Sequence, residues 1–119
     1  MKAILIVDDE IATAEALALI LEDEGYRVAR ASNGLQGLQR AVEIKPDLVI
    51  LDFMMPLMSG AEMAAKLRAA EATRDIKIVM NSALGEQAVR EHFTDYDAFL
   101  RKPYTIDKVL GAIHSLLHA

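Results

Sequence analysis

The sequence predicts an α/β fold: a doubly wound parallel sheet of five strands with helices on both faces. Short apolar runs alternate with longer segments of helical periodicity throughout the 119 residues. Such alternation is typical of parallel strands joined by helical crossovers. The runs AILIV at Ala3–Val7 and LVIL at Leu48–Leu51 are apolar throughout, which indicates strands buried on both faces.

In the first half of the chain, helix-ending residues separate the periodic segments. Gly25 follows the first helical segment and supplies a C-terminal stop, and Lys45-Pro46 ends the second. The stretch YRVARA alternates polar and apolar residues and therefore suits a strand nearer the sheet edge. The predicted elements are, in order, a strand at Ala3–Val7, a helix at Ile11–Glu24, a strand at Tyr26–Ala31, a helix at about Gly34–Ile44 and a strand at Leu48–Leu51 that closes on Asp52.

The second half continues the alternation. Ser59 precedes a helical segment and Glu62 follows it three residues later, which is a capping-box pattern. The closing segment is amphipathic and predicts a final helix. The predicted elements are, in order, a helix at Ser59–Ala70, a strand at Ile76–Met80, a helix at Glu86–Phe93, a short strand at Ala98–Leu100 and a helix at Ile106–Leu117.

Composition and charge exclude several kinds of protein. The chain has no cysteine, which excludes a disulfide framework and any thiolate nucleophile or metal ligand. Its net charge of -5 argues against direct nucleic-acid binding, which needs a basic face. No apolar run approaches the ~18 residues that cross a bilayer, and the N-terminus lacks a signal-peptide pattern. We therefore expect a single domain over residues 1–119, without an output domain or membrane contact, in the cytoplasm.

Polar and charged residues stand at the ends of four of the predicted strands. The carboxyl ends of parallel strands share one edge of the sheet, where the ligands of such folds bind. Three carboxylates, a hydroxyl and a lysine are therefore expected to converge there. In chain order, these strand-end residues are Asp8 and Asp9, then Asp52, then Asn81-Ser82, and finally Lys102-Pro103.

This set of side chains suits a magnesium-dependent phosphoryl transfer. Carboxylate oxygens at close quarters suit Mg²⁺, which takes one or two carboxylates, several waters and a phosphate oxygen. Lys102 can pair with a carboxylate or with a phosphoryl group, and Ser82 can donate a hydrogen bond to a phosphoryl oxygen. An aspartate oxygen in such a site can attack phosphorus and form an aspartyl phosphate.

With these residues, the chain resembles the receiver domains of two-component response regulators. Each motif alone is common, but together, in the family's element order, they cover essentially the whole chain. The resemblance implies a flavodoxin-like (βα)5 fold with strand order 2-1-3-4-5 and a cis peptide before Pro103. The matching residues are Asp8-Asp9, Asp52 in LDFMMPLMSG, Ser82 followed by Ala83, and Lys102-Pro103 in FLRKPY.

The resemblance implies a phosphorylation-controlled switch and not an enzyme, because a receiver catalyses only its own phosphorylation and dephosphorylation. Asp52 is expected to take the phosphoryl group from a phosphohistidine on a histidine kinase or histidine phosphotransfer protein. Mg²⁺, for which Mn²⁺ can substitute, is expected to be held by Asp8, Asp9, Asp52 and the backbone carbonyl of Met54.

Signal output is expected through the face formed by the fourth helix, the fifth strand and the fifth helix. Phosphoryl oxygens would draw in Ser82, Phe99 would turn inward, and Lys102 would hold the charge. An unidentified downstream effector would then respond to the altered face.

Two apolar side chains flank the expected position of the phosphoryl group. Met54 lies two residues after Asp52, and Leu84 lies two residues after Ser82. Neither side chain can orient the water that hydrolysis needs, and their bulk hinders its approach. We therefore expect a comparatively long-lived phosphorylated state.

Several positions depart from the family's usual pattern. Asp95-Tyr96 replaces a small Gly-Ala step before the fifth strand, which leaves the end of the fourth helix open. Leu57 follows Pro56 where glycine is common, and Phe99 replaces the commoner tyrosine and cannot hydrogen-bond. The last helix also lacks the arginine pattern of receivers that dimerise to bind DNA.

Three alternatives from other classes fit the sequence less well. A flavodoxin-like electron carrier would meet repulsion between Asp8-Asp9-Glu10 and the flavin phosphate. A haloacid-dehalogenase-like phosphatase places its nucleophile at the end of strand one with a second acid two residues later, a spacing that Asp8 and Glu10 imitate loosely. A pseudo-receiver that only binds partners would not need the acidic, serine and lysine residues that this chain keeps.

Overall fold

Five parallel strands form one sheet in the order β2-β1-β3-β4-β5, which confirms the predicted topology. The structure is a computed structural model and describes residues 1–118. The elements are β1 Ala3–Val7, α1 Ile11–Asp23, β2 Arg27–Ala31, α2 Gly34–Ile44, β3 Leu48–Asp52, α3 Gly60–Ala69, β4 Lys77–Ser82, α4 Glu86–Arg90, β5 Ala98–Arg101 and α5 Ile106–His118.

The sheet separates two hydrophobic clusters, which we call the α1/α5 face and the α2–α4 face. Successive strand residues point to opposite sides of a sheet. In β1, Ile4 and Ile6 pack on the α1/α5 face, whereas Leu5 and Val7 pack on the α2–α4 face. All four of these side chains are buried, as expected for a strand covered on both sides.

Local signals in the sequence place most of the element ends correctly. Gly25 has a φ of 95°, a conformation that glycine adopts without steric penalty, and α1 ends two residues before it. The Ser59 hydroxyl accepts a hydrogen bond of 3.1 Å from the backbone N–H of Glu62 and caps α3, as predicted.

The fourth helix is shorter than predicted. α4 ends at Arg90 and not at Phe93, because the backbone N–H groups of His92 and Phe93 both donate to the Val89 carbonyl and close a turn. The Phe93 side chain then packs against the α2–α4 face. Phe93 thus contributes to the core from a position beyond the end of α4.

The fourth strand is longer than predicted. It continues past Met80 to Ser82, because Asn81 pairs with Asp52 on one side and Ser82 pairs with Arg101 on the other. Its polar end thus lies within the sheet ladder. Over the described residues, none of the helices is long and apolar enough to pass through a lipid bilayer.

Candidate functional site

Two buried carboxylates lie side by side at the carboxyl ends of β1 and β3. Asp8 is 5% exposed and Asp52 is 6% exposed, whereas Asp9 is exposed at the rim. One oxygen from each of Asp8, Asp9 and Asp52 lies within 4.8 Å of the other two. The structure therefore brings together the three acids that the sequence places at these strand ends.

Lys102 compensates the negative charge of this acidic cluster. Its Nζ atom donates hydrogen bonds of 3.2 Å to Oδ2 of Asp8 and 3.2 Å to Oδ2 of Asp52. Glu10 lies slightly farther away, with Oε1 at 3.6 Å from Nζ. Burial alone would lower the pKa of Lys102, but the charges of Asp52 and Asp8 raise it above its ordinary value. Lys102 is therefore a cation in this site.

The environment of Asp52 makes its carboxyl group a weaker acid than an exposed aspartate. Its pKa is raised from 3.8 to about 6, first by burial and to a smaller extent by the charge of Asp8. Lys102 and the backbone N–H of Met54, which donates to Oδ1 at 3.3 Å, act in the opposite direction. At neutral pH the carboxylate form predominates, so Asp52 is available as a nucleophile.

The backbone around the cluster is held by short-range contacts. The N–H of Glu10 donates to Oδ1 of Asp8 at 2.9 Å, and the N–H of Phe53 donates to the Asn81 carbonyl at 2.8 Å. The peptide bond between Lys102 and Pro103 is cis, as the resemblance implied. The two hydrogen bonds hold the ends of β1 and β3, from which Asp8 and Asp52 project.

Gly60 is a supporting residue that the sequence reasoning missed. A Cβ atom there would lie 2.3 Å from the Asp52 carbonyl oxygen and 2.8 Å from Cα of Phe53. The N-terminus of α3 therefore approaches the end of β3 as closely as backbone atoms allow, and only glycine fits. The signal in the sequence was a glycine directly after Ser59, the predicted N-cap.

The donor set fits a hard divalent cation. Three carboxylates supply the oxygen ligands that Mg²⁺ prefers, and the ion pairs of Lys102 with Asp8 and Asp52 are noncovalent and can be exchanged for a cation. Among residues 1–118, Asp8, Asp9 and Asp52 form the one group of three or more acidic or histidine side chains whose ligand atoms lie close enough together to hold a metal ion. The role of the Met54 carbonyl as a further ligand stays a prediction.

The predicted switch residues lie beside the cluster but on the other side of the sheet. Ser82 is buried, and its hydroxyl accepts a hydrogen bond of 3.0 Å from the N–H of Leu84. Phe99 is half-buried against the α2–α4 face, with its ring centroid 6.1 Å from that of Tyr96. Ser82 and Phe99 are thus well placed to move together, and their role stays a prediction.

The unusual Asp95-Tyr96 step is accommodated by contacts to α3 and α4. The Tyr96 hydroxyl donates to the Glu86 carboxylate at the start of α4. The Arg68 guanidinium donates to the Asp95 carbonyl at 3.1 Å and to the Asp97 carboxylate at 2.9 Å. The end of α4 and its following turn, which the sequence left open, are therefore fixed by side chains.

Apolar side chains stand exposed around the cluster. Met54 is 64% exposed and Leu84 is 43% exposed, so neither belongs to the hydrophobic core. Leu57, which occupies the position where the family often has glycine, has a φ of 70° and is 75% exposed. This left-handed conformation is strained for leucine.

Comparison with known proteins identifies the family. Residues 4–114 match the family model described as the response regulator receiver domain. The chain belongs to this family. A solved receiver relative, the response regulator TrrA from Thermotoga maritima in complex with Mg(2+)-BeF, has a TM-score of 0.89 and 34% identity, covering 98% of this chain and 100% of that one.

Two curated relatives show the range of proteins that contain this receiver domain. The chemotaxis protein CheY of Listeria monocytogenes is 36% identical over 95% of this chain and 96% of its own length. The DNA-binding dual master transcriptional regulator RpaA of Synechocystis is 35% identical over 98% of this chain and 49% of its own length. The receiver domain therefore spans about half the length of RpaA and nearly all of that CheY.

Proposed function

We propose that this receiver domain is a phosphorylation-controlled signalling switch with Asp52 as phosphoacceptor. One observation carries the proposal: Lys102 Nζ bridges the buried carboxylates of Asp52 and Asp8, at 3.2 Å from an oxygen of each acid. A carboxylate held next to a cation and a second acid can attack an incoming phosphoryl group while the developing charge stays neutralised. The domain acts on itself and turns over no other substrate.

Transfer begins with attack of an Asp52 oxygen on the phosphorus of a phosphohistidine. The oxygen–phosphorus bond forms as the nitrogen–phosphorus bond breaks, and the bonding electron pair stays on the imidazole nitrogen, which takes up a proton. The donor is a histidine kinase or a histidine phosphotransfer protein. Asp9 and Glu10 at the rim of the cluster are exposed, so a donor would approach Asp52 from this side.

Metal binding and charge compensation involve the surrounding residues. Asp8, Asp9, Asp52 and the Met54 carbonyl would hold Mg²⁺, or Mn²⁺ in its place. When bound, the ion neutralises charge on the phosphoryl oxygens. Lys102 releases its carboxylate partners and pairs with the phosphoryl group.

Output follows from the residues next to the phosphoryl group. Ser82 exchanges its present hydrogen bond from Leu84 for a bond that it donates to a phosphoryl oxygen. The loop after β4 then moves toward Asp52, and Phe99 turns inward against the core. The face formed by α4, β5 and α5 changes shape, and a downstream effector in the cytoplasm responds, without direct nucleic-acid or membrane binding by residues 1–119.

The lifetime of the phosphorylated state depends on the exposed apolar side chains of Met54 and Leu84. Both side chains are exposed, and they stand two residues after Asp52 and two residues after Ser82, respectively. Because neither side chain can hydrogen-bond a hydrolytic water, the acyl phosphate persists.

Phosphorylation by acetyl phosphate with Mg²⁺ tests the proposal. The intact mass of the parent should rise by a single phosphoryl group, and Asp52→Asn should abolish the rise. Asp75→Asn, which changes an exposed aspartate, is the matched control and should be phosphorylated like the parent. Equal labelling of Asp52→Asn would refute the assignment, and continued turnover of a generic phosphate ester would indicate a phosphatase instead.

A further inference from the structure

Asn81 carries a buried polar atom that the residues discussed so far leave unused. The side chain is 1% exposed, and its Oδ1 atom is buried without a hydrogen-bond partner among the described residues. A buried acceptor without a donor destabilises a protein, because it has given up its hydrogen bonds to water and gained none in return. A leucine of the same shape would avoid this penalty, so a stability argument does not account for an amide at this position.

The register of the sheet places Asn81 directly beside the phosphoacceptor. Asn81 of β4 pairs with Asp52 of β3 on one side and with Leu100 of β5 on the other. Residues paired in register project from the same face of a sheet. Val79, two residues before Asn81, and Leu100 both belong to the hydrophobic cluster of the α1/α5 face. The Asn81 amide therefore lies where the apolar part of this face, with Val79 and Leu100, meets the Asp52 carboxylate.

The side chain of Lys102 has to pass over Asn81 to reach its partners. Lys102 follows β5, yet its Nζ atom contacts Asp52 at the end of β3 and Asp8 at the end of β1. β4 lies between β5 and β3 in the sheet, and Asn81 is the β4 residue at the level of Asp52. The lysine stem thus crosses the strand from which the Asn81 amide projects.

One N–H donor of the Lys102 ammonium is left for the Asn81 amide oxygen. An ammonium group carries three N–H donors, and two of them are directed to Asp8 and Asp52. The remaining acidic neighbour, Glu10, lies at 3.6 Å, beyond hydrogen-bonding distance. Among the described residues, the third N–H of Lys102 and the Asn81 amide oxygen therefore each lack a hydrogen-bond partner.

We propose that Asn81 is a positioning residue that holds the Lys102 ammonium in the phosphorylated state, an inference that rests on the proposed function. Once Asp52 is phosphorylated to the acyl phosphate, its carboxyl group no longer carries the charge that attracts Lys102. The ammonium then donates hydrogen bonds to the phosphoryl group. The Asn81 amide oxygen accepts a hydrogen bond from the Lys102 N–H that no longer bonds to Asp52. This bond pairs the buried acceptor and fixes Lys102 beside the phosphoryl group during transfer.

The Asn81→Leu variant tests this role because it keeps the shape and removes the acceptor. Its resistance to urea should equal or exceed that of the parent, since the unpaired acceptor is gone. Its phosphorylation by acetyl phosphate should be about tenfold slower, as expected for loss of a hydrogen bond to a charged group. The ¹⁵Nζ signal of Lys102 in the phosphorylated protein should also shift relative to the parent.

Combination with Lys102→Met separates a positioning role from a merely structural one. If Asn81 acts through Lys102, Asn81→Leu should leave the rate of the Lys102→Met protein unchanged within about twofold. An equal slowing in both backgrounds, or no slowing in the parent background, would overturn the inference. Absence of phosphorylation in the parent would instead refute the proposed function itself.

A second pair of variants covers the case in which Asn81→Leu does not fold. Asn81→Thr and Asn81→Val introduce side chains of the same shape that suit a strand, but only threonine offers an oxygen acceptor. Faster phosphorylation of the threonine variant supports the role of the acceptor. Equal rates for the two variants contradict it.

Discussion

Replacing Asp52 with asparagine should stabilise the receiver domain at neutral pH when no divalent cation is present. The carboxylate of Asp52 is ionised there, although it is buried and lies next to Asp8. An asparagine side chain at this position would mimic the uncharged acid, and its amide oxygen can still accept from Lys102. The variant therefore removes the penalty of the charge without removing the hydrogen bond.

The shift in pKa sets the size of this effect. The change from 3.8 to about 6 corresponds to roughly two pKa units, or about 3 kcal/mol. Water reaches part of the site and screens the charges, so we expect a gain of about 1.5–3 kcal/mol in the free energy of unfolding.

The gain should depend on pH in a defined direction. Because the folded-state pKa is raised, the stability that Asp52 contributes is complete below 3.8 and is lost as the pH rises through about 6. The difference between the Asp52→Asn variant and the parent should therefore be largest at neutral pH and close to zero at about pH 4.

Urea unfolding in a chelating buffer at both pH values measures the difference directly. Comparing two proteins at each pH cancels the contributions of the other carboxyl groups. Asp75→Asn is the matched control and should show no gain at either pH, since Asp75 is exposed. A gain for Asp52→Asn that is equal at both pH values, or absent at neutral pH, would refute the reasoning.

Three further predictions concern the metal, the backbone and the lifetime. Millimolar Mg²⁺ should raise the melting temperature of the parent, and Asp9→Ala should remove most of the rise because the exposed carboxylate acts only as a ligand. Leu57→Gly should raise the free energy of unfolding by about 0.5–1 kcal/mol in urea, because relief of left-handed strain exceeds the added chain entropy. Met54→Asn and Leu84→Glu should each speed the decay of phosphorylated protein after the donor is removed, because a polar side chain can orient water.

Each of these predictions has an outcome that contradicts it. A melting temperature that Mg²⁺ leaves unchanged in the parent means that the acidic cluster is not a metal site. Leu57→Ala keeps the strained conformation and serves as the control for glycine, so an equal gain from alanine would remove strain as the cause. Unchanged decay in both polar variants would show that the apolar side chains do not control the lifetime.

The strand ends could be predicted because the signals that define them are local. The runs before Asp8 and Asp52 are apolar without interruption, so the first carboxylate in each marks the point where a buried strand must meet water or a partner. Ser59 likewise marks the start of α3, because its hydroxyl accepts a hydrogen bond from the backbone N–H of Glu62. Convergence of these ends then follows from the parallel topology alone.

Features that depend on distant contacts could not be predicted from the sequence. The turn after α4 places Phe93 against the core and Tyr96 in a hydrogen bond with Glu86, and both contacts join residues that the sequence pattern does not connect. The need for glycine at position 60 appears only when α3 meets the end of β3. The unpaired state of Asn81 requires the register of three strands, which no short stretch of sequence contains.

The side chains of Asp52 and Phe99 project from opposite faces of the sheet. Asp52 and Asn81 belong to the α1/α5 side, whereas Phe99 packs on the α2–α4 side, and Ser82 follows Asn81 by a single residue. Phe99 and Lys102 are three residues apart on the chain, an odd number that puts their side chains on opposite sides. Insertion of one residue between them would exchange the sides and disconnect sensing from response, even if the acidic cluster stayed intact. The odd or even spacing of residues along β4 and β5 thus decides which face of the sheet each side chain reaches, whatever the residue type.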